Sequence, residues 1–340
     1  MRWLITAVCM HACSRPPPSD GEDYRPPGPP DGAPTDSTPL TDAPAADRIR
    51  VASFNIEFVG PAGSTQYDAL RAVIARIDAD VLGINEVGGG EEGLFTKLVA
   101  GLGYEAVVPL INPFGGQRNA VLARLPVLDM TVWSSPALSG DTQANDVTRL
   151  PVTVVVQTPW GTSLAVTTEH CKAGFGDIDG FRRTVDARRT LQAALATDAD
   201  AQLVMGDFNE DLDALTQSPD PAIVFTVLPS GAPVSYQLGT DLAQELPSGI
   251  SADPFAQLLA AGLQPVDAAQ RDGRTETRDS GRRLDYIWRD TALVLLGSEV
   301  YDSRDEDLDG GLPKAGAALP RETSRDASDH LPVIVDFGPR

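Results

Sequence analysis

The fold is constrained most by eight short β-rich runs that recur along the chain: Ile49–Asn55, Asp80–Glu86, Asn119–Arg124, Pro151–Thr158, Ser163–His170, Gln202–Asp207, Leu284–Trp288 and Leu331–Phe337. Each is rich in β-branched residues and bounded by turn formers, which is the pattern of a strand. Helical periods lie between them. Tyr67–Ile77 puts Leu70, Ile74 and Ile77 on one face, and Asp179–Thr197 does the same with Phe181, Val185, Leu191 and Leu195. Strands interleaved with helices imply an α/β domain. No internal repeat is visible, and residues 211–253, rich in Pro, Asp, Ser and Gly, read as a long insertion.

This pattern starts at Arg48, so a domain over residues 48–338 is expected. Residues 14–47 carry ten prolines in 34 positions, a composition that cannot bury a core and predicts an extended tether. Before it, Arg2 and the apolar stretch Trp3–Met10 are too short to span a bilayer and read as an export signal. The stretch ends at Ala12-Cys13-Ser14, which resembles a bacterial lipoprotein signal and predicts anchoring at the cell envelope through Cys13. Plain export, to the periplasm or the exterior, is the alternative. Two of the three cysteines lie in these first 13 residues, which excludes a disulfide scaffold. A net charge of −21 argues against a protein that coats nucleic acid, although not against an enzyme that turns over a phosphate compound.

Polar residues stand where the strands end: Asn55, Glu86, His170 and Asp207 each close a β-rich run. Any one of them has an ordinary explanation, such as an Asx turn, a solvated edge or a buried ring with its partner. Five segments in order carry more: Ser53-Phe54-Asn55-Ile56, Ile84-Asn85-Glu86-Val87, Gly206-Asp207-Phe208-Asn209, Arg283-Leu284-Asp285-Tyr286-Ile287 and Ser328-Asp329-His330-Leu331-Pro332-Val333. Together they resemble the signature of the endonuclease/exonuclease/phosphatase superfamily, whose members include DNase I-like nucleases, sphingomyelinases and inositol-polyphosphate phosphatases. The resemblance runs from Arg48 to Phe337. It implies a four-layer α/β sandwich, two mixed β-sheets packed face to face with helices outside, and metal-dependent hydrolysis of phosphoester bonds.

Such hydrolysis needs a hard cation, an activated water and donors for developing negative charge. Magnesium, with manganese as the alternative, is expected on the Glu86 carboxylate and the Asn55 amide oxygen, with Asp329 as a further contact. Asp207 and Asn209, two apart in extended chain, would point the same way and hold a water and a phosphate oxygen. By resemblance, His330 pairs with Asp285 as an acid/base dyad, and His170 bonds the phosphate or serves as a second acid. Arg149 resembles a phosphate-contacting arginine, and Asn119 is a second substrate-binding candidate. Glu105 is the residue whose position suits orienting His170. Cys171, beside His170 on a strand, would turn away from the site and be a buried hydrophobe.

Three further readings concern charged segments. The loop Arg271–Arg283 holds five arginines against three acids and is either a phosphate-binding loop or a solvated one. Arg182, Arg183, Arg188 and Arg189 are expected to pair at the surface with Asp179 and Asp186. Asp305, Asp307 and Asp309 match the first half of a calcium loop whose closing glutamate is missing, so calcium and a solvated acidic loop are the two readings. The sequence as a whole predicts an exported, monomeric phosphodiesterase, a nuclease. The alternatives are a lipid or inositol-phosphate phosphoesterase, which would need an apolar loop (only Phe114 and Trp133 qualify), and an inactive surface binding module on the same scaffold.

Overall fold

A computed structural model describes residues 47–107, 116–139, 147–213, 224–225, 236–237 and 253–340. The expected signal and tether lie outside the described residues, as does most of the 211–253 insertion, within which Val224–Phe225 (β9) and Tyr236–Gln237 (β10) pair antiparallel. No helix among the described residues is long and apolar enough to cross a membrane.

One six-stranded sheet is built from β1 (Ile49–Asn55), β2 (Val81–Gly88), β3 (Glu105–Val107), β4 (Gln117–Ala123), β13 (Val294–Val300) and β14 (Val333–Gly338), in the order β13-β14-β1-β2-β4-β3. The other comprises β5 (Val127–Val132), β6 (Val152–Gln157), β7 (Ser163–His170), β8 (Ala201–Asp207), β11 (Gln264–Pro265) and β12 (Asp285–Arg289), in the order β11-β12-β8-β7-β6-β5. Each sheet is mixed, with one parallel pair, β1–β2 in the first and β7–β8 in the second. Alternation along the strands sorts side chains into layers. Val51, Val81, Val121 and Val335 of the first sheet meet Val154, Val166, Leu203 and Ile287 of the second in a core between the sheets.

The opposite faces carry the helices. Phe54, Leu82 and Ile84 pack against Leu70, Val73 and Ile74 of α1 (Thr65–Ile77) and against α2 (Glu92–Val99). On the second sheet Val204, Tyr286 and Trp288 pack with Leu191 of α4 (Asp177–Leu195) and with Phe255 and Leu258 of α5 (Pro254–Ala260). Two short helices, α3 (Ser135–Ser139) and α6 (Thr323–Ala327), and a 3-10 turn at Ser303–Asp305 complete the described elements. This is the four-layer sandwich expected. The long helix differs in one detail: Leu195 is exposed, because α4 ends there, while Val185 and Leu191 face the sheet.

Register brings the strand ends together. Asn55 lies opposite Asn85, His170 opposite Asp207, and Asp207 opposite Asp285. The β7–β8 approach is close enough to require Gly206. Its φ is +140°, and a Cβ there would stand 1.8 Å from the Glu169 carbonyl oxygen.

Candidate active site

Five strand ends and one loop deliver the polar residues to a single edge of the sandwich. At β2 the ladder shifts register between Ile84 and Val87, and Glu86 takes a φ of +66°. The bulge lets consecutive residues serve different places, since it turns Glu86 out of the strand's alternation. Glu86 Oε1 accepts from Asn55 Nδ2 at 3.2 Å and lies 3.6 Å from His170 Nε2. Asn85 points between the sheets. Its Oδ1 accepts from the Asp207 N–H at 2.9 Å, and its Nδ2 donates to Asn119 Oδ1 and to the Glu169 carbonyl.

Asp207 is the hub. Its Oδ2 accepts from Asn55 Nδ2 at 3.0 Å and stands 3.4 Å from His170 Nε2 and 3.8 Å from His330 Nε2. Its Oδ1 accepts from the Asn209 N–H at 2.7 Å. Asn209 is not in extended chain as expected. It has φ of +51°, a conformation asparagine tolerates, and the Asx turn rather than strand alternation brings it beside Asp207. Its Nδ2 donates to the Cys171 carbonyl at 3.0 Å and to Asp207 Oδ2 at 3.3 Å.

Asp285 and His330 form the expected pair, Oδ2 to Nδ1 at 2.7 Å, both buried. Thr277 fixes the proton on it. Thr277 Oγ1 accepts the N–H groups of Leu284 and Asp285, so its own hydrogen goes to Asp285 Oδ2, at 2.7 Å. Asp285 Oδ2 is therefore an acceptor toward His330, whose Nδ1 carries the proton and whose Nε2 faces Asp207 and, at 3.8 Å, Asp329 Oδ1. Ser328 braces the same turn, donating to the Asn55 carbonyl and accepting from the His330 N–H.

The two histidines differ in charge although both are buried. Burial works against a charged His330, but Asp285 and Asp207 outweigh it and carry its pKa up to about 10. His170 has no such carboxylate on Nδ1. Burial, with the positive charges of Arg149 and His330, holds it well below the usual histidine range. A neutral His170 suits hydrogen bonding and not proton delivery. Burial also raises Glu86 and Asp207, the latter opposed by His330 and by the hydrogen bonds from Asn209 and Asn55.

Two carboxylates whose ionisation costs desolvation are a place where a cation is favourable. Oxygens of Glu86 and Asp207 and a nitrogen of His170 lie within 4.8 Å of one another, and Asp207, Asp285 and His330 form a second such group. An oxygen-rich set with one imidazole fits a divalent cation. Asn55 fits the expected ligand role less directly, because its Oδ1 accepts from the Glu57 N–H. Asp329 sits at the rim in an ion pair with Arg278 at 2.9 Å.

Other expectations are redirected. Asn119 is buried one step behind the site, donating to the Leu150 carbonyl and supporting Asn85, so it braces rather than faces the cleft. Arg149 lies beside the site with its guanidinium on the His170 and Cys171 carbonyls and on Gln117. Glu105 is exposed at the edge strand β3 opposite Ala123, and His170 Nδ1 has no hydrogen-bond partner among the described residues. Cys171 is buried with Leu191, Phe208 and Trp288, and burial pushes its thiol up. Arg183 and Arg189 are buried, not at the surface: α4 lies against the sheet on that side, and Arg183 pairs with Glu210 at 2.8 Å, while Asp186 accepts from Thr148 and Lys172.

The calcium reading fails on geometry. Neither metal-capable group among the described residues includes Asp305, Asp307 or Asp309, and the Arg271 guanidinium lies against the carbonyls of Asp305, Glu306 and Leu308. Asp307 pairs with Arg321. Of the aromatic candidates for a lipid surface, Trp133 is tied back to Thr153 by its indole N–H, and Phe114 lies outside the described residues.

A sandwich that gathers carboxylates, amides and two histidines of opposite protonation at one edge defines a metal-dependent hydrolase of phosphoester bonds. The chain belongs to the endonuclease/exonuclease/phosphatase family, whose model matches residues 52–330. No curated protein sequence matches it. Solved structures share the fold. An endonuclease/exonuclease/phosphatase from Beutenbergia cavernae is 18% identical with a TM-score of 0.53, covering 86% of this chain and 72% of that one. ANGEL2, a 2′,3′-cyclic phosphatase, is 15% identical with a TM-score of 0.54, covering 86% and 95%. The 3′ phosphatase NExo from Neisseria, bound to a product DNA hairpin, is 16% identical with a TM-score of 0.52, covering 85% and 99%.

Proposed function

We propose that the protein is a magnesium-dependent phosphodiesterase acting on nucleic acid, a monomer exported and held at the cell envelope by a lipid on Cys13. The observation that carries the chemistry is Asp207 Oδ2 placed between the Nε2 atoms of His170 and His330, at 3.4 and 3.8 Å, with Asp285 on the far nitrogen of His330 alone. Glu86, aided by Asn55, would hold the cation, which when bound neutralises phosphate charge and acidifies water. Asp207, raised toward neutrality by burial, is poised to orient the attacking water and take its proton. Asn209 keeps that carboxylate in register with the loop after His170. His170 Nε2 donates to a phosphate oxygen, and His330 Nε2 delivers a proton to the leaving oxygen, with Asp285 stabilising its charge.

Nucleic acid as the substrate is supported by the relative with a bound DNA product, and Trp133, a candidate for a lipid surface, is tied back to Thr153. The test is turnover, with magnesium and with EDTA, of single- and double-stranded DNA, RNA, sphingomyelin and inositol phosphates. Metal-dependent cleavage of a nucleic acid is expected; turnover of the lipid or inositol compounds alone would replace the substrate class, and none on any would leave a binding module. For the anchor, Cys13→Ala should move the protein from the membrane to the soluble fraction of its host, and an unmodified Met1 in the native protein would refute it.

A further inference from the structure

An exposed aromatic ring flanks the catalytic edge with a guanidinium set over its face. Phe175, in the loop between β7 and α4, is 67% exposed and lies five residues beyond His170. Arg282 Cζ stands 5.5 Å from the centre of that ring, and Arg282 precedes Asp285 by three residues.

The ring stands on a fixed base. In its loop the Lys172 and Gly174 carbonyls accept from buried Arg183, the Cys171 carbonyl accepts from Arg149 and Asn209, and the Lys172 N–H donates to Asp186. Arg183 also grips Glu210, the neighbour of Asn209, and Arg282 approaches Glu210 at 3.5 Å. The loop after His170, the turn after Asp207 and the segment entering Asp285 are thus joined by one network, and Phe175 projects from it.

We propose that Phe175, with Arg282, is a stacking platform for one unpaired nucleobase next to the phosphate that is hydrolysed. This rests on the nucleic-acid reading above and adds the state in which that substrate is bound. The planar, apolar element of a nucleic acid is the base, and a phenyl face with no hydrogen-bonding group accepts any base. A base inside a duplex has both faces covered by its neighbours, so the platform takes one from a single strand, a strand end or an extruded position. Charge points the same way: Lys172 is paired with Asp179 and Arg278 with Asp329 in a chain of −21, which leaves backbone attraction weak and gives stacking, about 1–3 kcal/mol per base, a larger share of affinity.

The experiment uses the full chain with magnesium and a single-stranded oligonucleotide cleaved at a mapped bond, beside two copies carrying an abasic residue on the 5′ or the 3′ side of it. Wild type should show KM about tenfold higher for one abasic copy, the factor that about 1.4 kcal/mol of stacking supplies. Phe175→Ala should abolish that preference, Phe175→Trp should retain it, and Arg282→Met should weaken it without altering the ring. Wild type indifferent to base removal, or Phe175→Ala with the wild-type preference, overturns the platform while the nuclease reading stands. Cleavage of bis-p-nitrophenyl phosphate with none of any oligonucleotide overturns both.

Discussion

Replacing Asp285 by asparagine should move the alkaline limb of the pH–rate profile down by about two to three pH units. In the wild type the carboxylate lies 2.7 Å from His330 Nδ1 and the pKa of that ring is about 10, so His330 is protonated through neutrality and activity is lost as pH rises past that value. A unit charge about 4 Å from the ring's charge centre, at an effective dielectric near 20, is worth about 4 kcal/mol, or about three pKa units. Asp207 and Asp329 remain and keep part of the elevation. Geometry should survive: Thr277 must donate at the position of Oδ2, which selects the asparagine oxygen there, and the new NH₂ falls at Oδ1, which has no hydrogen-bond partner among the described residues.

The magnitude then depends on pH in a defined way. With a pKa near 10 the acid form is about nine-tenths populated at pH 9, and with one near 7 it is about one-hundredth populated, so turnover should fall about 100-fold at pH 9 and less than about twofold at pH 6.5. Single-turnover rates between pH 6 and 10.5 at saturating magnesium measure this. A uniform loss across that range with the limb unmoved would refute the reasoning and leave Asp285 as a structural residue of β12. His330→Ala should lose about as much as its double variant with Asp285→Asn, because the two act as one unit.

Glu86→Gln removes a full charge from the cation group, so the magnesium concentration for half-maximal turnover should rise at least tenfold with unfolding unchanged; an unaltered requirement would assign the cation to the Asp207, Asp285 and His330 group instead. Arg183→Met removes the buried guanidinium 2.8 Å from Glu210, and should cost about 3 kcal/mol in urea unfolding and lower turnover; a cost under about 1 kcal/mol would mean the network does not join the site loops. Cys171→Ala should cost about 1 kcal/mol of stability and keep turnover within about twofold, and loss of turnover in a folded variant would make the thiol a participant.

What could be read from the sequence was what residue type alone decides. The strands of the inner layers announce themselves by β-branched runs, and carboxylates, amides and imidazoles at their ends mark the site. The edge strands were missed for a physical reason. In β5, Leu128 and Met130 are exposed, and in β13 so are Val294, Leu295 and Leu296, so neither shows the alternation that burial on one face imposes. The supporting polar residues were missed for another. Asn85 matters because it meets Asp207, 122 positions away, Ser328 because it meets Asn55, 273 away, and Thr277 because two backbone N–H groups dictate where its hydrogen goes. Nothing in their identities distinguishes them from turn or surface residues until the sheets are paired.

The two histidines make the same point about charge. Each ring is buried, His170 at the end of β7 and His330 just before β14, and each has Nε2 within 4 Å of Asp207 Oδ2. Only one has a carboxylate on its other nitrogen, fixed in place by a threonine that the chain brings from eight residues upstream. That contact, together with Asp207, places His330 above neutrality, while burial leaves His170 below it. In the proposed mechanism the neutral ring donates to the phosphate and the charged ring to the leaving oxygen, and two identical side chains can differ in this way because Asp285 stands on one side only.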